Sequence, residues 1–281
     1  MKYALQTAVL PELSASEVLE TLRRHGYDGV EWRVHEEYHV DPRALPDGAK
    51  AMARAAAAHG LEIACLMGYA ALDDLDLQKR TAEACAIAGC RRYRPGAVIY
   101  DGSRPYRQLY TQTVDRIGAV IDAVSPFGVK PLIETHFGTL APSPSAAYAL
   151  VRHFDSERIG VNFDPANQAI EGREAWKMGL ELLGPYLDYV HAKNVAWERH
   201  EGGWRWTWAP LNGGMVDWPE IMSGLSSVGY DGWVSNENFF EVPLRTRGFA
   251  GEDLTQSFDR ARDIDERLAA DLAYLRRCRG G

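Results

Sequence analysis

Four short, largely apolar runs each end in a side chain that can hold or move charge. Pro131-Leu132-Ile133 runs into Glu134, and Ile159–Phe163 runs into Asp164. Leu187–Val190 is followed by His191, and Trp233–Asn236 by Glu237. A carboxylate leaving an apolar segment is costly unless it is paired or ligating. Either each of the four meets its own Arg or Lys in a nearby loop, or they converge and need a shared cation. Three carboxylates and one imidazole form a hard, oxygen-rich donor set. It suits Mn2+, Mg2+ or Co2+ and also admits Zn2+. One divalent metal held by Glu134, Asp164, His191 and Glu237 is the expected cofactor.

Such a convergence needs a scaffold, and the chain shows a repeated punctuation. An amphipathic stretch ends at a Gly and a short apolar run follows, at Gly26, Gly60, Gly89, Gly128, Gly184 and Gly229. A Gly after a helix supplies the left-handed residue that closes its last turn. The apolar run behind it reads as a strand buried on both faces, as in a parallel sheet. Tyr3–Leu10 and Ile159–Phe163 supply two further strands, and Arg91–Gly96 is a weak one because it is rich in Arg. Leu109, Val114, Ile117, Ile121 and Val124 share one face of a helix over Pro105–Phe127. Leu254, Phe258, Ala261, Leu268, Leu272 and Leu275 do the same in the last helix. Ser14 with Glu17 three residues on predicts a capping box. Eight strands alternating with eight helices predict an α/β fold closed into a single (β/α)8 TIM barrel over 1–281. In such barrels the chemistry sits at the C-terminal ends of the strands, where the four residues above fall.

The bulk properties narrow the function. The chain has 281 residues, 46% of them hydrophobic and 25% charged, with a formal net charge of -8. The acidic balance, with a pI near 5.5, speaks against a nucleic-acid binder, which would present a basic face. Cys65, Cys85, Cys90 and Cys278 form no CxxC pair and read as incidental thiols in a reducing compartment. No secretory h-region or membrane-length apolar run stands out, so a cytoplasmic protein without membrane contact is expected.

Several stretches resemble the xylose isomerase-like sugar-phosphate isomerase/epimerase superfamily, in order and over nearly the whole chain. They are Gly26-Tyr27-Asp28-Gly29-Val30-Glu31, Ile133-Glu134-Thr135-His136, Gly160-Val161-Asn162-Phe163-Asp164 and Val190-His191-Ala192-Lys193-Asn194. Gly214-Met215-Val216-Asp217-Trp218 and Gly229-Tyr230-Asp231-Gly232 followed by Glu237 complete the set. The chain looks closest to the branch of ketose 3-epimerases, hydroxypyruvate isomerase and inosose dehydratases. The resemblance implies that Glu134, Asp164, His191 and Glu237 bind the metal. It also implies proton abstraction next to a carbonyl of a small keto-sugar or sugar phosphate, with Glu134 and Glu237 as the catalytic carboxylates. Members often carry a substrate-contacting His three residues after the metal-binding Asp, where this chain has Asn167. An amide still bonds a hydroxyl but cannot shuttle a proton. The alternatives are a metal-dependent dehydratase of a cyclic polyol ketone and a non-catalytic sugar-binding barrel.

Other residues near the rim are candidates for substrate binding. Glu31 ends the second strand and either contacts substrate or the site residues, or pairs with Arg33 or a Lys. His136 shares a strand face with Glu134 and either binds substrate, orients Glu134 or packs in its loop. Lys193 either binds a hydroxyl or phosphate, or pairs with Asp164 or Glu237. After the seventh strand comes a long aromatic loop with Trp197, Trp204, Trp206 and Trp208. It is expected to cover the site or to form the interface of a homodimer or tetramer. Its Arg199 and Arg205 are candidates for contacting substrate oxygens.

Overall fold

The structure is a computed structural model that describes residues 1–240 and 260–280. Eight parallel strands form a closed barrel: β1 (Lys2–Gln6), β2 (Gly29–Arg33), β3 (Glu62–Met67), β4 (Arg92–Arg94), β5 (Lys130–Glu134), β6 (Gly160–Phe163), β7 (Leu187–Ala192) and β10 (Trp233–Asn236). The barrel closes by pairing β10 with both β1 and β7. Between β7 and β10 lies a separate antiparallel ribbon of β8 (Val195–His200) and β9 (Gly203–Trp208).

Helices α1 (Ala15–His25), α2 (Ala49–Ala58), α3 (Leu75–Ala88), α4 (Tyr106–Val124), α5 (Pro144–Val151), α6 (Pro165–Glu171), α7 (Trp176–Leu183), α8 (Trp218–Ser227) and α9 (Arg260–Gly280) accompany the strands. The expected capping box is present at α1: Ser14 N–H donates to Glu17 Oε2 at 2.8 Å, and Glu17 N–H to Ser14 Oγ. Gly26 closes α1 at φ 80 and Gly89 closes α3 at φ 73, the left-handed conformation that only Gly adopts without strain. Of the apolar face expected for the last helix, Leu268, Leu272 and Leu275 are buried in the core; Leu254 and Phe258 lie outside the described residues.

Three details differ from the regular alternation expected. The first strand stops at Gln6, where a 3-10 turn over Thr7–Val9 takes the chain out of the extended conformation. Two helices, α6 and α7, separate β6 from β7, since Gly172 (φ 121) interrupts the helical path. The long aromatic loop is a regular hairpin, with Trp197 opposite Trp206 and Val195 opposite Trp208.

Most of the core lies between strands and helices, where Trp32, Phe163, Trp176 and Trp218 are fully enclosed. Ala4, Ala64, Cys65, Leu132, Tyr189 and Trp233 form a second, smaller cluster. Asp188 is held by Arg92 (Nε to Oδ1, 2.7 Å) and Lys130 (Nζ to Oδ2, 2.8 Å). That triad comes from β7, β4 and β5 and explains why β4 carries Arg without leaving the barrel. No helix among the described residues is long and apolar enough to cross a membrane.

Candidate functional site

The ends of β5, β6, β7 and β10 bring Glu134, Asp164, His191 and Glu237 together. Each offers one donor atom, the four atoms lie within 4.8 Å of one another, and all four side chains are buried. His191 Nδ1 is 3.1 Å from Glu134 Oε1, 3.1 Å from Glu237 Oε2 and 3.7 Å from Asp164 Oδ2. Donors placed so can share one ion at about 2.0–2.3 Å from each with little adjustment.

Local structure aims each donor. Thr135 Oγ1 accepts from Asp164 N–H at 2.7 Å, locking the end of β6 to β5. Asp164 Oδ1 caps α6 through Asn167 N–H at 3.0 Å, which turns Oδ2 toward His191. Glu237 N–H donates to Ala192 O and continues the β7–β10 pairing by one residue. His191 Nε2 lies 3.0 Å from Glu31 Oε1, and Tyr189 OH donates to Glu31 Oε2 at 3.0 Å. With Nε2–H donated to Glu31, the Nδ1 lone pair faces the three other carboxylates, the arrangement a metal-ligating imidazole requires.

The charges do not balance by themselves. Glu31, Glu134, Asp164 and Glu237 bring four carboxylates into contact with His191. Among the described residues, two permanent cations pair with these acids, Arg94 with Glu134 and Lys193 with Asp164 and Glu237. With His191 neutral, as a ligating imidazole must be, four carboxylates against these two cations leave two negative charges among the described residues, the charge of one divalent cation. Burial works against the imidazolium, yet Glu237 and Glu31 outweigh it and hold His191 well above the usual imidazole range. Burial likewise raises the Glu134 carboxyl, but Arg94 and His191 win and keep it well below the ordinary range. For Glu237 the opposing pull comes from His191 and Lys193, and the result is again a lowered pKa. The chemistry of this donor set fits a divalent ion.

The remaining candidates separate into those at the cluster and those away from it. Lys193 is in it, with Nζ 2.8 Å from both Asp164 Oδ2 and Glu237 Oε2. Asn167 is fully buried and donates to Asp164 Oδ2 and to Thr135 O. His136 is half-buried, stacks on Phe137 at 4.6 Å and places Nδ1 2.8 Å from Phe137 O; burial lowers its pKa. Arg199 and Arg205 are exposed on the ribbon, opposite Trp204 and Glu198 respectively, and are not gathered with the acids.

Four residues join the site that sequence reasoning did not single out. Arg94 donates to Glu134, Gln6 Nε2 donates to Glu237 Oε1 at 3.2 Å, Tyr189 bonds Glu31, and Asn162 Nδ2 lies 3.1 Å from His191 Nδ1. Arg94 had a signal, being the Arg that makes β4 look weak. Gln6 and Asn162 sit inside apolar strands and carry the same kind of signal.

The same barrel recurs in solved structures. D-psicose 3-epimerase from Clostridium cellulolyticum H10, solved with D-tagatose, matches with a TM-score of 0.74 and 17% identity, covering 99% of each chain. The probable 3-DHS dehydratase AsbF of Bacillus anthracis matches with a TM-score of 0.73 and 18% identity, covering 98% of each chain. The uncharacterized protein MJ1311 of Methanocaldococcus jannaschii is 21% identical over 255 residues, 85% of this chain and 84% of that one. A family model described as xylose isomerase-like TIM barrel matches residues 19–277, and with the donor residues standing on consecutive staves of a closed eight-stranded cylinder, this chain belongs to that family.

Proposed function

We propose that this chain is a divalent-metal-dependent isomerase or epimerase that moves a proton next to the carbonyl of a small keto-sugar or sugar phosphate. The observation that carries the reading is the cluster of four buried donor atoms, all within 4.8 Å of one another, at the mouth of the barrel. When bound there, Mn2+, Mg2+ or Co2+ supplies Lewis-acid polarisation of the carbonyl and its neighbouring hydroxyl. Glu134 ends β5 and Glu237 directly follows β10, with the other two donor strands between them. They can therefore approach a substrate carbon from two sides. One carboxylate takes the proton and the other, protonated, returns one from the opposite face, which inverts the centre. One carboxylate serving two adjacent carbons would give aldose–ketose interconversion instead. Arg94 beside Glu134 and Lys193 beside Glu237 favour the ionised form in which either carboxylate can take the first proton. The structural likeness to D-psicose 3-epimerase supports the barrel as a scaffold for such chemistry.

A second reading is dehydration of a cyclic polyol ketone, favoured by His136. In the tautomer that donates Nδ1–H to Phe137 O, Nε2 has no partner among the described residues and can act as a base or acid near Glu134. A panel of ketoses incubated with the Mn2+-loaded protein in D2O tests both readings. Solvent deuterium on the product carbon at unchanged skeleton supports epimerisation or isomerisation, and loss of water shows dehydration. Glu237→Gln should abolish turnover with the fold retained; full activity in that variant, or after metal chelation, would overturn the reading.

A further inference from the structure

Among the described residues, one buried cation at the barrel mouth has no counter-charge. Arg33 ends β2 two residues beyond Glu31 and is 4% exposed. Its Cζ lies 4.3 Å from the ring centre of Tyr38 and 4.8 Å from that of Tyr69. Arg94 packs against the same Tyr69 ring at 5.3 Å while bonding Glu134. Arg33 is thus one aromatic ring away from the donor cluster. Among the described residues its guanidinium makes no hydrogen bond and no ion pair, and its Nε is buried without a partner. Glu31, the carboxylate nearest in sequence, is turned to His191 and Tyr189 instead.

A guanidinium cannot shed its proton, and a buried charge without a partner is unfavourable. The chain obeys this rule at its other barrel cations: Arg94 pairs with Glu134, Lys193 with Asp164 and Glu237, and Arg92 and Lys130 with Asp188. The Tyr38 and Tyr69 rings offset part of the cost by cation–π attraction. They also fix the guanidinium plane and leave its N–H edge for a planar or tetrahedral oxyanion, the fork that carboxylates and phosphates fill.

We infer that Arg33 receives an oxyanion group, carboxylate or phosphate, of the molecule held at this mouth, which makes the substrate a sugar acid or a sugar phosphate rather than a neutral sugar. The inference rests on the functional reading above, in that the same mouth holds the substrate. The oxyanion occupies Arg33 while the reacting carbons lie toward Glu134 and Glu237. Arg33 is then a binding residue that sets specificity and takes no part in proton transfer.

Calorimetric titration of the full chain with inorganic phosphate, glycolate and glycerol, with and without Mn2+, tests this. Saturable binding of phosphate or glycolate is expected, weakened roughly tenfold or more by Arg33→Met and partly kept by Arg33→Lys. Glycerol should not distinguish the variants. Phosphate favoured over glycolate assigns a sugar phosphate, and the reverse a sugar acid. Mn2+ affinity, read by the electron paramagnetic resonance of free Mn2+, should be equal in wild type and Arg33→Met. Oxyanion binding that is absent, or unchanged in Arg33→Met with melting behaviour preserved, overturns the inference. Absence of Mn2+ uptake by the wild type would instead sink the metal-dependent reading while the oxyanion titration still judged Arg33.

Discussion

Arg94 places Nε and Nη2 on the same oxygen of Glu134, at 2.8 and 2.6 Å, while its Nη1 donates to Gly68 O. Oε2 of Glu134 is thereby committed, and Oε1 is the atom turned to His191. Glu134 therefore presents one oxygen to the cluster, while its second serves as an anchor. Both partners are buried, so the anchor is neither screened by salt nor replaceable by water.

Arg94→Met should destabilise the protein by roughly 3–5 kcal/mol, because it strands a buried carboxylate. The double variant Arg94→Met/Glu134→Gln should recover part of that loss. Urea denaturation of the four proteins checks it. Strict additivity of the two single effects would show that the pair is not coupled.

Lys193 shares with His191 the same two oxygens, Asp164 Oδ2 and Glu237 Oε2. An ammonium so placed repels a divalent ion bound to those atoms. Lys193→Met should tighten Mn2+ binding roughly tenfold, or about 1.4 kcal/mol. Direct Mn2+ titration measures it, and an equal or weaker affinity would contradict the shared-oxygen picture.

Asp271 on α9 accepts from Asn236 Nδ2 and Asn238 Nδ2, the residues that flank Glu237. Burial raises its carboxyl from 3.8 to about 6, with Arg267 and the two amides opposing only in part. Between these values the folded protein binds more protons than the unfolded chain, so this group's contribution to stability falls as pH rises from about 4 to 6. The full cost of the buried carboxylate is present above about pH 6. Asp271→Asn should therefore stabilise the protein near neutral pH, by on the order of 3 kcal/mol at most, and the gain should vanish toward pH 4. Thermal melts across pH settle the sign.

Gly214 leaves no room for a side chain. A Cβ there would collide with Asn194 Oδ1 and fall 2.6 Å from Val195 O. Asn194 Oδ1 accepts from Val195 N–H and Val216 N–H, which fixes the chain just after Lys193. Gly214→Ala should cost roughly 1–3 kcal/mol. Chemical denaturation checks it, with Gly213→Ala, whose nearest neighbour is 3.7 Å away, as the near-neutral control.

Much of the barrel was legible because its strands are short apolar runs punctuated by Gly, a pattern set locally. Glu134, Asp164, His191 and Glu237 stood out because each interrupts such a run at the same end. The ribbon escaped notice because its Trp, Glu, Arg and Thr residues are equally compatible with a loop, and only pairing across Glu201-Gly202 reveals strands. Arg94 and Arg33 escaped for a different reason. What distinguishes them is a partner, or the lack of one, across the barrel, and sequence spacing does not carry that. Glu31 shows the same limit: Arg33 is its neighbour along the strand, but His191, 160 residues away, is its contact.

The ribbon leaves and rejoins the barrel at one residue. β8 starts directly after Asn194, and Ala209 N–H returns to Asn194 O. Trp208 packs on Phe239, and both rings lie within 6 Å of Lys193 Nζ. The outer part of the hairpin, from Glu198 to Arg205, is exposed. Its length and composition can therefore drift, or be grafted from another barrel, without disturbing the ionic arrangement beneath. The acid cluster and the outer hairpin are thus built from separable pieces of chain.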